Sequence, residues 1–260
     1  MTAPERIVSL VPSLTESVVD LGAGERLVGV TRYCPPVPSA AIVGGPRDPE
    51  IEAIVSLRPD LVLACREENS DEDLQRIAKT ARVHAFSCRS VDDGLALIVE
   101  MGRLLARTDE AREAVRRIQA RRGAVRQSVE GLARVGVHLP RPVFYPVWKE
   151  PWMALGDGCF PAAMLAEAGG VSVFADRGEP YPRIELVELR RRAPELILLP
   201  DEPWPFSSAD LAELVPALAP AHPPMLLVPG RWAAWYGTRM DAGLHGLAAA
   251  IHGEHLSALG

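Results

Sequence analysis

Short apolar runs recur along the chain, separated by stretches of helical periodicity. The runs fall at Arg6–Leu10, Leu27–Thr31, Leu61–Ala64, Val83–Ser87, Val143–Tyr145, Leu196–Leu199 and Met225–Val228. They show little alternation of polar and apolar positions, as expected of strands buried on both faces of a parallel sheet. The helices between them carry start signals. Ser13-Leu-Thr-Glu16 has the form of a capping box, with Gly22 as its stop. Asp48-Pro49-Glu50 offers an N-cap, a first-turn proline and a carboxylate at the positive end of the helix dipole. Ser70 starts the next helix, and Ser207 or Ser208 caps another over Ala209–Leu218.

The middle of the chain lacks both strand signals and proline. Thr108-Asp109-Glu110 reads as a fresh start, which divides this stretch into helices at about 91–106 and 109–134. The second has about 26 residues and a length of roughly 39 Å. Its narrow apolar stripe and seven arginines predict a helix with one packed edge and a wide solvated face. The expected class is therefore α/β, with two lobes, each a mostly parallel sheet flanked by helices, joined by a long backbone helix. The expected boundaries are 1–90 for the N-terminal lobe, 91–134 for the helical segment and 135–260 for the C-terminal lobe.

Composition narrows the function. The chain has 260 residues, a net charge of −6 and arginines spread along its length, a distribution that does not predict nucleic-acid binding. Of its 28 basic residues, only Lys79 and Lys149 are lysines. Cys34, Cys65, Cys88 and Cys159 form no C-x-x-C pair and predict separate buried thiols, with two disulfides as the alternative in an oxidising compartment. No transmembrane run is present, and the first apolar run is cut by Pro12 with only Arg6 basic before it. The expected location is the cytoplasm as the sequence stands, or a periplasmic or other extracytoplasmic site if this is a processed form.

Familiar catalytic signatures are missing. There is no G-x-S-x-G and no H-E-x-x-H, and Gly22-Ala-Gly24 follows a helix rather than a strand. Asp201-Glu202 is a candidate acid and base pair without a visible nucleophile. The aromatic residues are more telling. All five tryptophans lie in three segments of the second half: Tyr145-Pro-Val-Trp148-Lys-Glu-Pro-Trp152, Asp201-Glu-Pro-Trp204-Pro-Phe206 and Arg231-Trp232-Ala-Ala-Trp235-Tyr236. Each follows a predicted strand, and loops at the carboxyl ends of strands are where open α/β sheets bind ligands. Arg231 and Arg239 stand among them as candidate anchors for an anionic group. The corresponding loops of the first half are more polar and supply Tyr33, Arg47, Cys65 and Arg66. One aromatic wall and one polar wall predict an amphipathic ligand with a flat face, held between the lobes.

Several segments resemble the substrate-binding proteins of ABC importers for vitamin B12, haem and iron–siderophores, the helical-backbone metal receptors. They are Arg6-Ile-Val-Ser-Leu-Val-Pro-Ser-Leu-Thr-Glu16, Ile54-Val-Ser-Leu-Arg-Pro-Asp-Leu-Val62, Leu165-Ala-Glu-Ala-Gly-Gly170, Pro180-Tyr-Pro182 and Arg192-Ala-Pro-Glu-Leu-Ile197. The resemblance implies a non-enzymatic binding protein for a metal chelate (cobalamin-like, haem or ferric siderophore), with no cofactor of its own and no metal site built from its side chains. It adds Tyr181 to the ligand surface as an aromatic platform. Cys65 and Arg231 stand where the vitamin B12 binder has Trp and Asp. It also implies an ABC transporter permease as partner, docked through an acidic residue on each lobe, with Asp71 or Glu72 and Glu185 or Glu188 as the candidates, and a monomeric state. The alternative expectation is an intracellular enzyme or chaperone using the same aromatic surface.

Overall fold

The computed structural model describes residues 3–256. They form two compact units: the residues up to Ile118 together with Tyr236–Arg239, and Gln119–Trp235 together with the residues from Met240 on. The short stretch Tyr236–Arg239, which the sequence reading placed in the C-terminal lobe, clusters with the first unit.

The first unit is built from β1 (Ile7–Ser9), α1 (Pro12–Asp20), β2 (Leu27–Val30), β3 (Ala41–Ile42), α2 (Ile51–Ser56), β4 (Leu61–Cys65), α3 (Asp71–Ile77), β5 (Val83–Phe86) and α4 (Val91–Leu105). Its sheet has the order β3-β2-β1-β4-β5, and every pair is parallel. β1 and β4 are fully buried, which is why their sequences carry no alternation. Ser90 and Asp93 form a reciprocal capping box at the start of α4, and Ser70 caps α3 by accepting from the Asp73 amide at 3.1 Å. The chain leaves this unit within α5 (Thr108–Arg134), because Ile118 ends one unit and Gln119 begins the other.

The second unit continues with β6 (Arg141–Phe144), β7 (Pro146–Trp148), β8 (Met153–Ala154), α6 (Phe160–Glu167), β9 (Gly170–Ser172), α7 (Leu186–Arg192), β10 (Leu196–Pro200), α8 (Ser208–Leu218), β11 (Met225–Val228), α9 (Arg231–Ala234) and α10 (Met240–Leu256). Its main sheet has the order β11-β10-β6-β9, again all parallel, and β7 and β8 make a separate antiparallel ribbon. Phe144, Phe174, Leu189, Ile197, Leu199, Phe206 and Leu214 form a continuous apolar core.

Three local expectations are corrected. Ser13 does not cap α1. The N-cap is Val11, and Pro12 takes the first turn, where its fixed φ and missing N–H fit without loss. Ser13 is thereby drawn inside the helix and buried, and Glu16 turns to Arg239 instead. Asp48 does not cap α2 either, since both its oxygens accept from Arg32, at 2.9 to 3.0 Å. Finally, β11 is not buried on both faces: it is an edge strand, and Leu226 and Leu227 are exposed.

Candidate functional site

Because β6, β9, β10 and β11 are parallel, their carboxyl ends share one edge of the second unit's sheet, and the loops leaving them gather there. The loop after β6 becomes the β7–β8 ribbon and carries Trp148 and Trp152. The loop after β10 carries Trp204 and Phe206. The chain after β11 turns directly into α9 with Trp232 and Trp235.

These rings form a chain of contacts. Phe174 meets Phe144 edge-on with centroids 6.1 Å apart, and Phe144 lies 6.4 Å from Trp152. Trp152 stacks on Phe206 at 5.7 Å with planes 17° apart. Phe206 lies 6.5 Å from Trp204, which meets Trp148 edge-on at 5.0 Å. Phe144, Phe174 and Phe206 are buried in the core, whereas Trp148 is 41% exposed. The core thus continues outward into a surface ring. Tyr181 joins the same edge, because its segment runs beside β8: the Ala154 amide donates to Pro182 O at 3.0 Å, and the Ile184 amide to Trp152 O at 3.0 Å. Tyr181 is 42% exposed.

Not every predicted ring faces outward. Tyr145 is buried, and that burial, beside the carboxyl groups of Glu202 and Asp201, pushes its phenol well above the usual range. The Trp232 indole lies against α10 at Gly246, where an added methyl group would lie 2.4 Å from Cδ2 and Cε2 of the ring. The Trp235 indole N–H favours the charged form of the Glu202 carboxyl, but more weakly than its surroundings oppose it. Burial, followed by the charge of Asp201, raises the Glu202 carboxyl above the usual carboxylate range. One of its oxygens, Oε1, is buried without a hydrogen-bond partner among the described residues. Asp201 itself accepts from the Gly230 amide at 2.7 Å, which ties the loop after β10 to the loop after β11. Arg231 is exposed.

A lysine that the sequence reading passed over sits in the middle of this surface. Lys149 Nζ donates to Asp210 at 2.7 Å and to Glu213 at 2.6 Å, and lies 5.6 Å from the centroid of Trp152. The hydrogen bond it donates to Asp210, then that to Glu213, holds its ammonium above the usual lysine range. Its only signal in the sequence was rarity.

The first unit presents its own carboxyl-end loops. Tyr33 is 64% exposed, with the Arg32 guanidinium 5.8 Å from its ring. Arg47 is exposed and donates to Glu67 O at 3.0 Å, and Arg66 is exposed and paired with Asp71 at 3.4 Å. Cys65 is fully buried, donating to Glu67 at 3.0 Å, and burial pushes its thiol up to about 12. Tyr236 is buried in this unit and donates to Glu68 at 2.8 Å. Arg239 is held by Glu16, with Nε donating at 2.8 Å. Of the four acidic docking candidates, Asp71, Glu72 and Glu185 are exposed, whereas Glu188 pairs with Arg177 and Arg192. Among the described residues, no three His, Cys, Asp or Glu side chains come together as a metal-binding set. All four cysteines are free, three of them buried and Cys34 half-buried.

Comparison with known proteins gives a consistent result. A family model described as periplasmic binding protein matches residues 7–214. A vitamin B12-binding protein of Pectobacterium carotovorum subsp. carotovorum is 25% identical over 209 residues, which make up 79% of this chain and 74% of that relative. Among solved structures, a periplasmic haem binding protein from Pseudomonas aeruginosa aligns with a TM-score of 0.84 and 22% identity, covering 96% of this chain and 93% of that one. The periplasmic vitamin B12 binding protein of Vibrio cholerae aligns with a TM-score of 0.78 and 22% identity, covering 95% and 96%. These structural likenesses establish the two-lobed α/β fold.

Proposed function

The chain belongs to the periplasmic binding protein family, and from that premise we propose that it captures a metal chelate (a cobalamin-like corrinoid, haem or a ferric siderophore) without transforming it. The observation that carries this reading is the run of rings from the core through half-buried Trp204 to the exposed Trp148 at the carboxyl edge of the second sheet. Water solvates such rings poorly, and broad planar faces suit the flat or apolar sides of a macrocyclic or chelated ligand. The two relatives named for vitamin B12 and haem, each a macrocycle around a metal, agree with that chemistry. The metal arrives with its chelate, which removes any need for a protein-built metal site.

Trp148, Trp152, Trp204 and Tyr181 are assigned as the stacking surface, with Trp235 and Arg231 beside them. Tyr33, Arg47 and Arg66, at the same end of the first unit's sheet, are assigned as polar contacts. Transfer to an ABC permease through Asp71 or Glu72 and Glu185 or Glu188 completes the proposal, along with a monomeric state. The family supports operation in the periplasm, the second of the two locations considered from the sequence. An enzymatic reading has less support, because the matched family is one of binding proteins.

The test is quenching of tryptophan fluorescence on titration with cyanocobalamin, haemin and ferrioxamine B. We expect saturable quenching by at least one of the three, and Trp148→Ala should weaken that binding about tenfold or more, as loss of a stacked ring does. A wild-type protein that binds none of them, or a Trp148→Ala variant with unchanged affinity, contradicts the proposal.

A further inference from the structure

The β7–β8 ribbon that carries Trp148 is too small to hold itself. It has two residue pairs, Pro146 with Ala154 and Trp148 with Met153, with an irregularity between them. Two-stranded ribbons of this size are marginal in water. The β8 side is secured by backbone bonds: the Leu155 amide donates to Tyr145 O at 2.7 Å, and Ala154 and Trp152 bond to the Pro182 and Ile184 segment at 3.0 Å. The turn beyond Trp148 is anchored differently. Lys149 reaches α8 and donates to Asp210 and Glu213, which lie three residues apart and therefore on one helix face. Asp210 is a fixed partner, because its second oxygen accepts from the Ser207 amide at 2.8 Å and the Ser207 hydroxyl at 3.0 Å in the capping box. The same helix start follows directly on Trp204-Pro-Phe206. One ammonium group therefore ties the loop bearing Trp148 to the element that positions Trp204.

We propose that Lys149 is a positioning residue that locks the ribbon onto α8 and so presents the Trp148–Trp204 pair as a preformed ligand surface. This rests on the chelate-binding reading above and deepens it. The Lys149 side chain is 17% exposed and Asp210 10%, so the contact is partly shielded from solvent and salt. A compact ammonium with three donors meets two carboxylates from one helix face while remaining near the ring of Trp152. Holding the rings before the ligand arrives removes the ordering cost from binding.

The experiment compares Lys149→Met, Lys149→Arg and Glu213→Gln with the wild type. Two indoles 5.0 Å apart and edge-on couple their electronic transitions and give an exciton couplet in circular dichroism. Trp148→Phe and Trp204→Phe identify that signal. Expected for Lys149→Met are a diminished couplet and chelate binding weakened about tenfold, equivalent to ~1.4 kcal/mol, measured with whichever of cyanocobalamin, haemin and ferrioxamine B the wild type binds. Lys149→Arg should restore both. If Lys149→Met does not fold, Glu213→Gln, whose side chain is 45% exposed, carries the same comparison with smaller effects in the same direction. A full couplet in Lys149→Met overturns the proposal, as does a lost couplet with unchanged affinity. A wild type that binds none of the three probes overturns the chelate reading, while the couplet still decides whether Lys149 positions the rings.

Discussion

Gly246→Ala should destabilise the protein, although the same exchange elsewhere in the same helix should stabilise it. In an exposed helix interior, alanine is favoured over glycine by about 1 kcal/mol. At Gly246 that gain meets a wall. A methyl group would lie 2.8 Å from Cε3 of Trp232 and closer still to Cδ2 and Cε2, so it would strike the indole across its fused bond. The Trp232 backbone is also set close to the helix one turn earlier, because a methyl group added at Gly243 would lie 2.4 Å from the Trp232 carbonyl oxygen. Overpacking of this kind costs roughly 1–3 kcal/mol. Set against the propensity gain of about 1 kcal/mol, the net destabilisation is up to about 2 kcal/mol, or up to several degrees in Tm for a chain of this size. Gly253 is the control: it lies in the same α10, and among the described residues a methyl there would meet nothing within 4 Å. Gly253→Ala should therefore raise Tm slightly. Thermal unfolding followed by circular dichroism measures both variants. Tryptophan emission of the folded Gly246→Ala protein should also differ from wild type, because the displaced ring is Trp232. Equal stabilisation by the two substitutions would refute the claim that α10 is shaped around this indole.

Two further outcomes follow from buried titratable groups. The Glu202 carboxyl is raised by burial and by Asp201, so folding favours its protonated form. That contribution to stability is present at low pH and is lost as pH rises through the raised value. Glu202→Gln should therefore match the wild type near pH ~4 and become progressively more stable than it toward pH ~8, on the usual carboxylate scale; a stability difference that does not change with pH in denaturant titrations counts against the assignment. The Cys65 thiol, fully buried and pushed up to about 12, should resist iodoacetamide in the folded protein, whereas half-buried Cys34 should react first. Mass spectrometry after a short pulse decides this, and equal labelling of the two would be the contrary result.

Much of the architecture was legible because burial leaves a one-dimensional trace. Strands such as β4 and β10, buried at every position, read as unbroken apolar runs and were placed within a residue or so. The break between α4 and α5 was visible from Thr108, and the capping boxes at Ser90 and Ser207 follow the local rule for such caps. Local rules failed where two of them competed. Pro12 and Ser13 both fit the start of α1, and the rigid proline prevailed. Strands β3, β7, β8 and β9 have two or three residues each, too few to show a period.

The candidate surface divides along the same line. The sequence alone determined that the rings follow strands, and parallel strands must deliver such loops to one edge. It therefore determined where the aromatic residues gather. It did not determine which rings meet solvent. Trp148 and Tyr181 are exposed, Phe206 is core and Trp232 is clasped by a helix, yet all lie in similar proline-rich or charged surroundings along the chain. Those differences come from contacts between residues far apart in sequence: Trp152 on Phe206, Trp232 on Gly246 and Lys149 on Asp210. Patterns along a chain record which way a residue faces within its own element. Only the packing of one element on another decides what it touches there.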